Sequence, residues 1–245
     1  MSEEMSAYQR LNNELSELIK NTPKGTKLPS EPQLAKSLGI SRATLREGMR
    51  TFESQGLIYR RQGLGTFVVG PTQVIETGLE VLESIESQAK KIGLDVTLGH
   101  LEINALEANE EQAQKLNLAQ GDRLTEVRRV ILSEGVPIAY LIDTLPQLML
   151  NPEHLEQDFT GSVLDLLIRL GEPTLSVSKT EISAVTANSD AVKALGIQRG
   201  DTLLLLSSIL FDVNGEPVDL SYSYFLPGHF RLHIVRKIGG LNNHR

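Results

Sequence analysis

Between Leu28 and Val69 the hydrophobic period of the chain changes from helical to alternating, and glycines or capping residues mark the breaks. Ser30-Glu31-Pro32-Gln33 has the form of a helix start. Serine caps, proline is tolerated in a first turn, and glutamine stands where a capping-box partner belongs. Leu34 and Leu38 supply the buried stripe of that helix, Gly39 allows a turn, and Ser41 caps a second helix. The second helix buries Leu45, Met49 and Phe52 and stops at Gly56. Leu57 to Arg61 and Thr66 to Val69 read as short strands joined through Gln62-Gly63-Leu64-Gly65. A further amphipathic helix precedes this block, carried by Tyr8, Leu11, Leu15, Leu18 and Ile19 and ended by Pro23-Lys24-Gly25.

Charge sharpens the reading. Arg42, Arg46 and Arg50 recur at i, i+4 and i+8, a stripe beside the Leu45/Met49/Phe52 face. The formal net charge is −7, yet residues 1–70 hold ten Lys and Arg against seven Asp and Glu, and the remainder 14 against 24. A locally basic element on an acidic body points to nucleic-acid contact confined to the N-terminal part, because phosphates repel the rest. Arg42 and Thr44 lie in the first turn of the second helix, the end that meets base edges in a helix-turn-helix, while Arg50 lies further along, where it would hold backbone. Gly63 and Gly65 permit close approach to a phosphate backbone or minor groove, flanked by Arg60 and Arg61. The plain alternatives are a solvated helix face and an ordinary tight turn.

Other chemistries find little support. Cysteine is absent, which excludes disulfides, thiolate metal sites and cysteine nucleophiles. His229 and His233 are four apart in a stretch expected to be extended, about 13 Å end to end, too far for shared chelation. No P-loop, Gly-rich dinucleotide turn or Gly-x-Ser-x-Gly elbow occurs. No metal or cofactor is therefore expected. No apolar run reaches the roughly 20 residues of a membrane span, and the opening Met1-Ser2-Glu3-Glu4 does not resemble a signal peptide. A soluble, cytoplasmic protein is expected.

Beyond Pro71, a plausible domain edge, residues 72–83 read as a linker with some helical character. Residues 84–245 then echo themselves. Ala108-Asn109 and Ala187-Asn188, Leu116 and Leu195, and Gly121-Asp122 and Gly200-Asp201 are each 79 positions apart. Gly135-Val136-Pro137 answers Gly215-Glu216-Pro217 at a spacing of 80. Each copy reads as a capped helix, a Gly-Asp turn, a strand, a Gly-x-Pro hairpin and another strand. Two copies imply pseudo-symmetric α+β halves sharing one antiparallel sheet; chance recurrence of common turn residues is the alternative.

Leu28-Pro29-Ser30-Glu31, Ser41 to Arg46, Glu53 to Ile58 and Gly63 to Val68 together resemble the winged helix of GntR-family bacterial transcription regulators. Gly93-Leu94, Ala108 to Leu118, Arg129 to Pro137, Ser162 to Gly171 and Gly215 to Arg231 resemble the UTRA effector-binding domain of the HutC subfamily. The resemblance implies a mixed α+β chain: a winged helix-turn-helix over 1–70, a linker over 71–83, and a chorismate-lyase-like antiparallel domain with an internal pseudo-repeat over 84–245. It implies a homodimer on a palindromic double-stranded DNA operator, most simply a repressor released by a small-molecule metabolite of anionic character. The residues implied at DNA are Ser30, Glu31, Ser41, Arg42, Thr44, Arg46, Arg50, Arg60, Arg61, Gly63, Gly65 and Thr66. Pro32 stands where the family often has arginine, which removes one contact.

The effector residues implied are Glu86, Thr97, Arg129, Ile131, Ser162, Asp219 and Phe225. Ile131 replaces the second arginine of an Arg-x-Arg pair, Ile85-Glu86 a commoner Phe-Thr, Asp219 a Glu and Phe225 a Tyr. One arginine fewer and one carboxylate more weaken phosphate binding, so the ligand is expected not to be a standard sugar phosphate. Arg129 also admits a structural reading, an ion pair to Asp219 between facing strands. Arg128 alternates to the other face, where solvent is expected. Two other functions stay in view: a C-terminal part serving only dimerisation or protein interaction, and, remotely, a chorismate-lyase-like enzyme.

Overall fold

The structure, a computed structural model, describes residues 7–54, 57–61, 64–69, 75–150, 155, 159 and 161–235. Gly56, Gln62, Gly63 and Pro71 lie outside the described residues. Helices α1 (Ala7–Asn21), α2 (Glu31–Leu38) and α3 (Arg42–Ser54) enclose a core of Leu11, Leu15, Ile19, Leu34, Leu45, Met49 and Phe52. Gln33 Oε1 accepts the Ser30 N–H at 2.9 Å and the Ser30 hydroxyl at 2.7 Å, fixing the entry to α2. Gly39 ends α2 at φ 65°, a left-handed position suited to glycine. Gly48 sits on the core face of α3, where an added Cβ would lie 2.8 Å from Leu11 Cδ2. Its missing side chain is what lets α1 and α3 approach.

The hairpin β1 (Ile58–Arg61) and β2 (Gly65–Val68) closes this unit, pairing Ile58 with Val68 and Arg60 with Thr66. The segment before α2 runs along β2: Val68 O accepts the Gly25 N–H at 2.8 Å and Thr66 O accepts that of Leu28 at 2.8 Å. The wing is thus anchored on both sides.

The rest of the chain is built on β4 (Val96–Glu107), β5 (Arg123–Ser133), β6 (Val136–Pro146), β7 (Leu175–Thr186), β8 (Thr202–Asp212) and β9 (Pro217–Phe225). These form one antiparallel sheet in the order β4-β5-β6-β9-β8-β7. The order reads symmetrically outward from the β6–β9 pair, so the two echoing segments are two halves of one sheet. The first half inserts a short helix, α5 (Glu110–Leu116), and the second half α7 (Ser189–Leu195), with α6 (Val163–Leu170) between the halves. Two of their capping bonds correspond, although only α5 adds a reciprocal bond from the Asn109 N–H to Gln112. Asn109 Oδ1 accepts Gln112 N–H at 2.9 Å, and Asn188 Oδ1 accepts Ala191 N–H at 2.8 Å. Asp122 accepts Ala119 N–H at 2.9 Å, and Asp201 accepts Gln198 N–H at 2.8 Å. The repeat in sequence is therefore a repeated set of caps and turns.

Helices α5 and α7 pack on one sheet face, against Leu124, Leu220, Val130 and Leu203. Helices α4 (Ile85–Lys91) and α6 pack on the other, against Val127, Leu145, Leu210, Ile131, Leu141 and Phe225. The presumed linker is not wholly a linker: β3 (Ile75–Gly78) pairs in parallel with β10 (Phe230–His233). Ile75 is buried against Ile85 and Phe225's cluster. Four residues are too few to display the period of a strand, and their partner lies far along the chain. No described helix is long and apolar enough to cross a membrane.

Candidate nucleic-acid interface and effector pocket

Ser41 caps α3 through its Oγ, which accepts the Thr44 N–H at 3.1 Å and lies 2.8 Å from the Thr44 hydroxyl. Because Leu45, Met49 and Phe52 face inward, Arg42, Thr44, Arg46 and Arg50 are turned to solvent. Arg46 and Arg50 expose 55% and 52% of their side chains. Arg46 is nonetheless held: its Nε donates to Glu31 Oε2 at 2.7 Å. Arg50 lies 3.5 Å from Glu47. Gly65, at φ 120°, abuts Lys27, whose Cε an added Cβ would meet.

Three residues expected at DNA are placed otherwise. Arg60 exposes only 10% of its side chain and pairs with Glu31 at 3.4 Å and Glu53 at 3.6 Å. Ile58 and Arg60 are two apart on one strand, so they share a face, and Ile58 takes that face into the core. Thr66, directly opposite Arg60, is buried. Glu31 is an internal anchor joining α2, α3 and β1 through two guanidinium groups, since a carboxylate gains there what it would lose beside phosphate. Burial raises the Glu53 carboxyl's pKa, and Arg60 opposes that rise. Gly63 and the side chain of Arg61 lie outside the described residues.

The second site is a cavity of about 510 Å³ on the α4/α6 face of the sheet. Arg129, Ser162, Asp219 and Phe225, four of the residues implied for the effector, line it. Ser162 caps α6, its Oγ accepting the Asp165 N–H at 3.0 Å. Arg129 does not pair with Asp219: its Nη1 donates to Asp143 Oδ2 at 2.5 Å, while Asp219 Oδ1 accepts the Thr144 N–H at 3.1 Å. Burial, and then the neighbouring Asp143, raise the Asp219 carboxyl well above its ordinary pKa. Glu86 lies behind the lining, near Arg129; both its oxygens are buried without hydrogen-bond partners, and burial raises its pKa too.

Besides Glu86, two implied effector residues are absent from the cavity lining. Ile131 is buried in the core with Ile75, Ile85 and Ile138, as expected for an aliphatic side chain replacing a guanidinium. Thr97 is exposed on the edge strand β4. Arg128, expected in solvent, sits on the opposite face in ion pairs to Glu126 at 2.6 Å and Asp190 at 3.1 Å. Asp143 was missed by sequence reasoning, although a lone acid in the apolar run of β6 was a signal. Also missed was a row of hydroxyls: Thr180 and Ser208 are 2.8 Å apart, Ser208 pairs with Ser221, and Ser221 pairs with Asp143. An expected anion meets no unpaired cation in this lining, because Arg129 is the one Lys or Arg among the described lining residues and Asp143 already holds it. Among the described residues no group of three or more His, Asp or Glu could hold a metal ion.

Comparison with known proteins bears on both parts of the chain. Residues 6–68 match the family of bacterial regulatory proteins, gntR family, and residues 91–231 match the UTRA domain. The HTH-type transcriptional repressor NagR of Bacillus subtilis is 29% identical over 220 residues, covering 89% of each chain. The histidine utilization repressor of Pseudomonas putida is 27% identical over 201 residues, covering 81% of this chain and 79% of that one. The crystal structure of PhnF from Mycobacterium smegmatis has the same fold, with a TM-score of 0.63 at 21% identity over 94% of this chain and all of that one. With its winged helix matched by the one model and its repeated sheet by the other, the chain belongs to the GntR family of bacterial transcription regulators, in the branch with a UTRA domain.

Proposed function

We propose that the chain is a homodimeric repressor that binds a palindromic operator and is released when a small molecule fills the pocket beside Arg129. The observation that carries the DNA half is α3, whose solvent face bears Arg42, Thr44, Arg46 and Arg50 on a buried apolar back. In this reading Arg42, Thr44 and Arg46 meet base edges, Arg50 holds phosphate, and Ser30, Ser41 and Gly65 lie at the backbone. Glu31 acts through Arg46. Repression as the sense of the effect is supported by relatives from B. subtilis and P. putida that are named repressors.

A physical link supports coupling between the sites. Lys24, in the loop that braces β2, pairs with Glu134 at the tip of the β5–β6 hairpin. That hairpin carries Arg129 and Asp143 into the pocket. A ligand switches the protein only by as much as it prefers one arrangement over the other.

The test is a thermal-shift screen of metabolites on the full chain, with each hit then assayed for release of operator DNA. A ligand at a hundred times its Kd adds about 2.7 kcal/mol of stability. Hits should raise Tm and weaken operator binding, and Ser223→Trp, which fills the pocket floor, should abolish both effects. Operator affinity unchanged by every stabilising ligand, or effects that survive Ser223→Trp, would contradict the proposal.

A further inference from the structure

The pocket wall is short of positive charge. Arg129 is bound by Asp143 and lies close enough to Glu86 and Asp219 to oppose, without overcoming, the rise in pKa that burial imposes on both. Three carboxyl groups thus share one guanidinium in a largely buried cluster. Glu80 and Glu83 add carboxylates to the lining, Glu83 being held by Lys91. Arg129 Nε and both Glu86 oxygens have no hydrogen-bond partner. Buried carboxyl groups without a matching cation either take protons or wait for a cation to complete them. A dianion offered to this wall would add to the imbalance.

The floor says what surrounds that charge. Thr180, Ser208 and Ser221 stand in one row on β7, β8 and β9, leading to Asp143 on β6. Ser223 lies two residues further along the same face as Ser221, beside Leu141, Leu206 and Phe225. A row of hydroxyls that can each donate and accept suits a ligand rich in hydroxyls, with an apolar edge against the leucines.

We propose that this pocket takes a polyhydroxylated small molecule carrying a protonated amine, its ammonium seated against Asp143 and Asp219 and its hydroxyls on the Thr180–Ser208–Ser221 row. The inference rests on the reading of this cavity as the effector site and names the chemistry it selects. Arg129 then serves to hold Asp143 in place and is not itself the anchor of an anion.

The test uses the full-length protein and matched probes on one carbon skeleton: 1-amino-1-deoxysorbitol, sorbitol and sorbitol 6-phosphate. Affinities come from calorimetry. The amine should bind about tenfold or more tighter than the neutral polyol, as expected for a charged hydrogen-bond partner. The phosphate should bind more weakly than either. Asp219→Asn should erase the advantage of the amine and leave sorbitol unchanged. That substitution keeps an oxygen for the Thr144 N–H and mimics a protonated carboxyl, so the fold should survive it. Ser208→Ala, tested beside it, should weaken both polyols equally. A larger affinity for the phosphate, no binding of the amine, or an amine advantage that persists in Asp219→Asn overturns the proposal. Those failures differ from failure of the effector-site reading, which Ser223→Trp tests with any stabilising ligand.

Discussion

Arg60→Ala is expected to cost the winged helix about 3–5 kcal/mol, the usual cost of removing one partner from a buried charge cluster. The guanidinium lies between Glu31 and Glu53, on the core side of β1, with one tenth of its side chain exposed. Without it Glu53 loses the guanidinium beside it and Glu31 is left with Arg46 alone, and the entry to α2, the end of α3 and the hairpin lose their common tie. Urea unfolding of the full chain should show the N-terminal transition moved to much lower denaturant, with the UTRA transition unmoved. Unchanged stability with uniformly weaker DNA binding would instead make Arg60 a phosphate contact, as its position beside the wing first implies.

Arg46→Ala is expected to act in the opposite way, with DNA affinity lost and the fold kept. Arg46 contributes to no core and is more than half exposed. Its tether to Glu31 holds the guanidinium on the solvent face of α3 and so lowers the entropy lost on docking. A good guanidinium–base contact discriminates by about 1–3 kcal/mol, and a dimer makes it twice, so specific affinity should fall by about 2–6 kcal/mol. Titration of labelled operator and scrambled duplex by anisotropy checks this: the specific curve should collapse onto the non-specific one. Arg50→Ala should weaken both curves alike and flatten the salt dependence by about one counterion per protomer. Retained preference for operator in Arg46→Ala would remove this arginine from the groove.

The parts of this molecule that sequence reveals are those governed by local rules. The α3 stripe follows from helical spacing, and the halves of the sheet follow from Asn and Asp caps recurring 79 positions apart. What stayed hidden depends on partners far along the chain. Arg60 and Thr66 look like wing contacts until β1 and β2 are in register, when the strand period turns both inward. Asp143 claims Arg129 because β5 and β6 pair, whereas sequence alone offered Asp219 as the partner. The hydroxyl row exists only once β6, β9, β8 and β7 lie side by side. Ile131 and Thr97 occupy positions for which the family resemblance implies a ligand, but the isoleucine joins the core, and Thr97 lies on an edge strand outside the cavity. The short β3 pairs with β10 across most of the chain's length, a contact no local pattern announces.

In-vitro selection of randomised duplex DNA by the full-length protein tests the central claim most directly. The account predicts enrichment of an inverted repeat with half-sites about one helical turn apart or a multiple of it, and loss of that motif when Arg46→Ala protein makes the selection. Enrichment of no motif, or of the same motif by the variant, would contradict it.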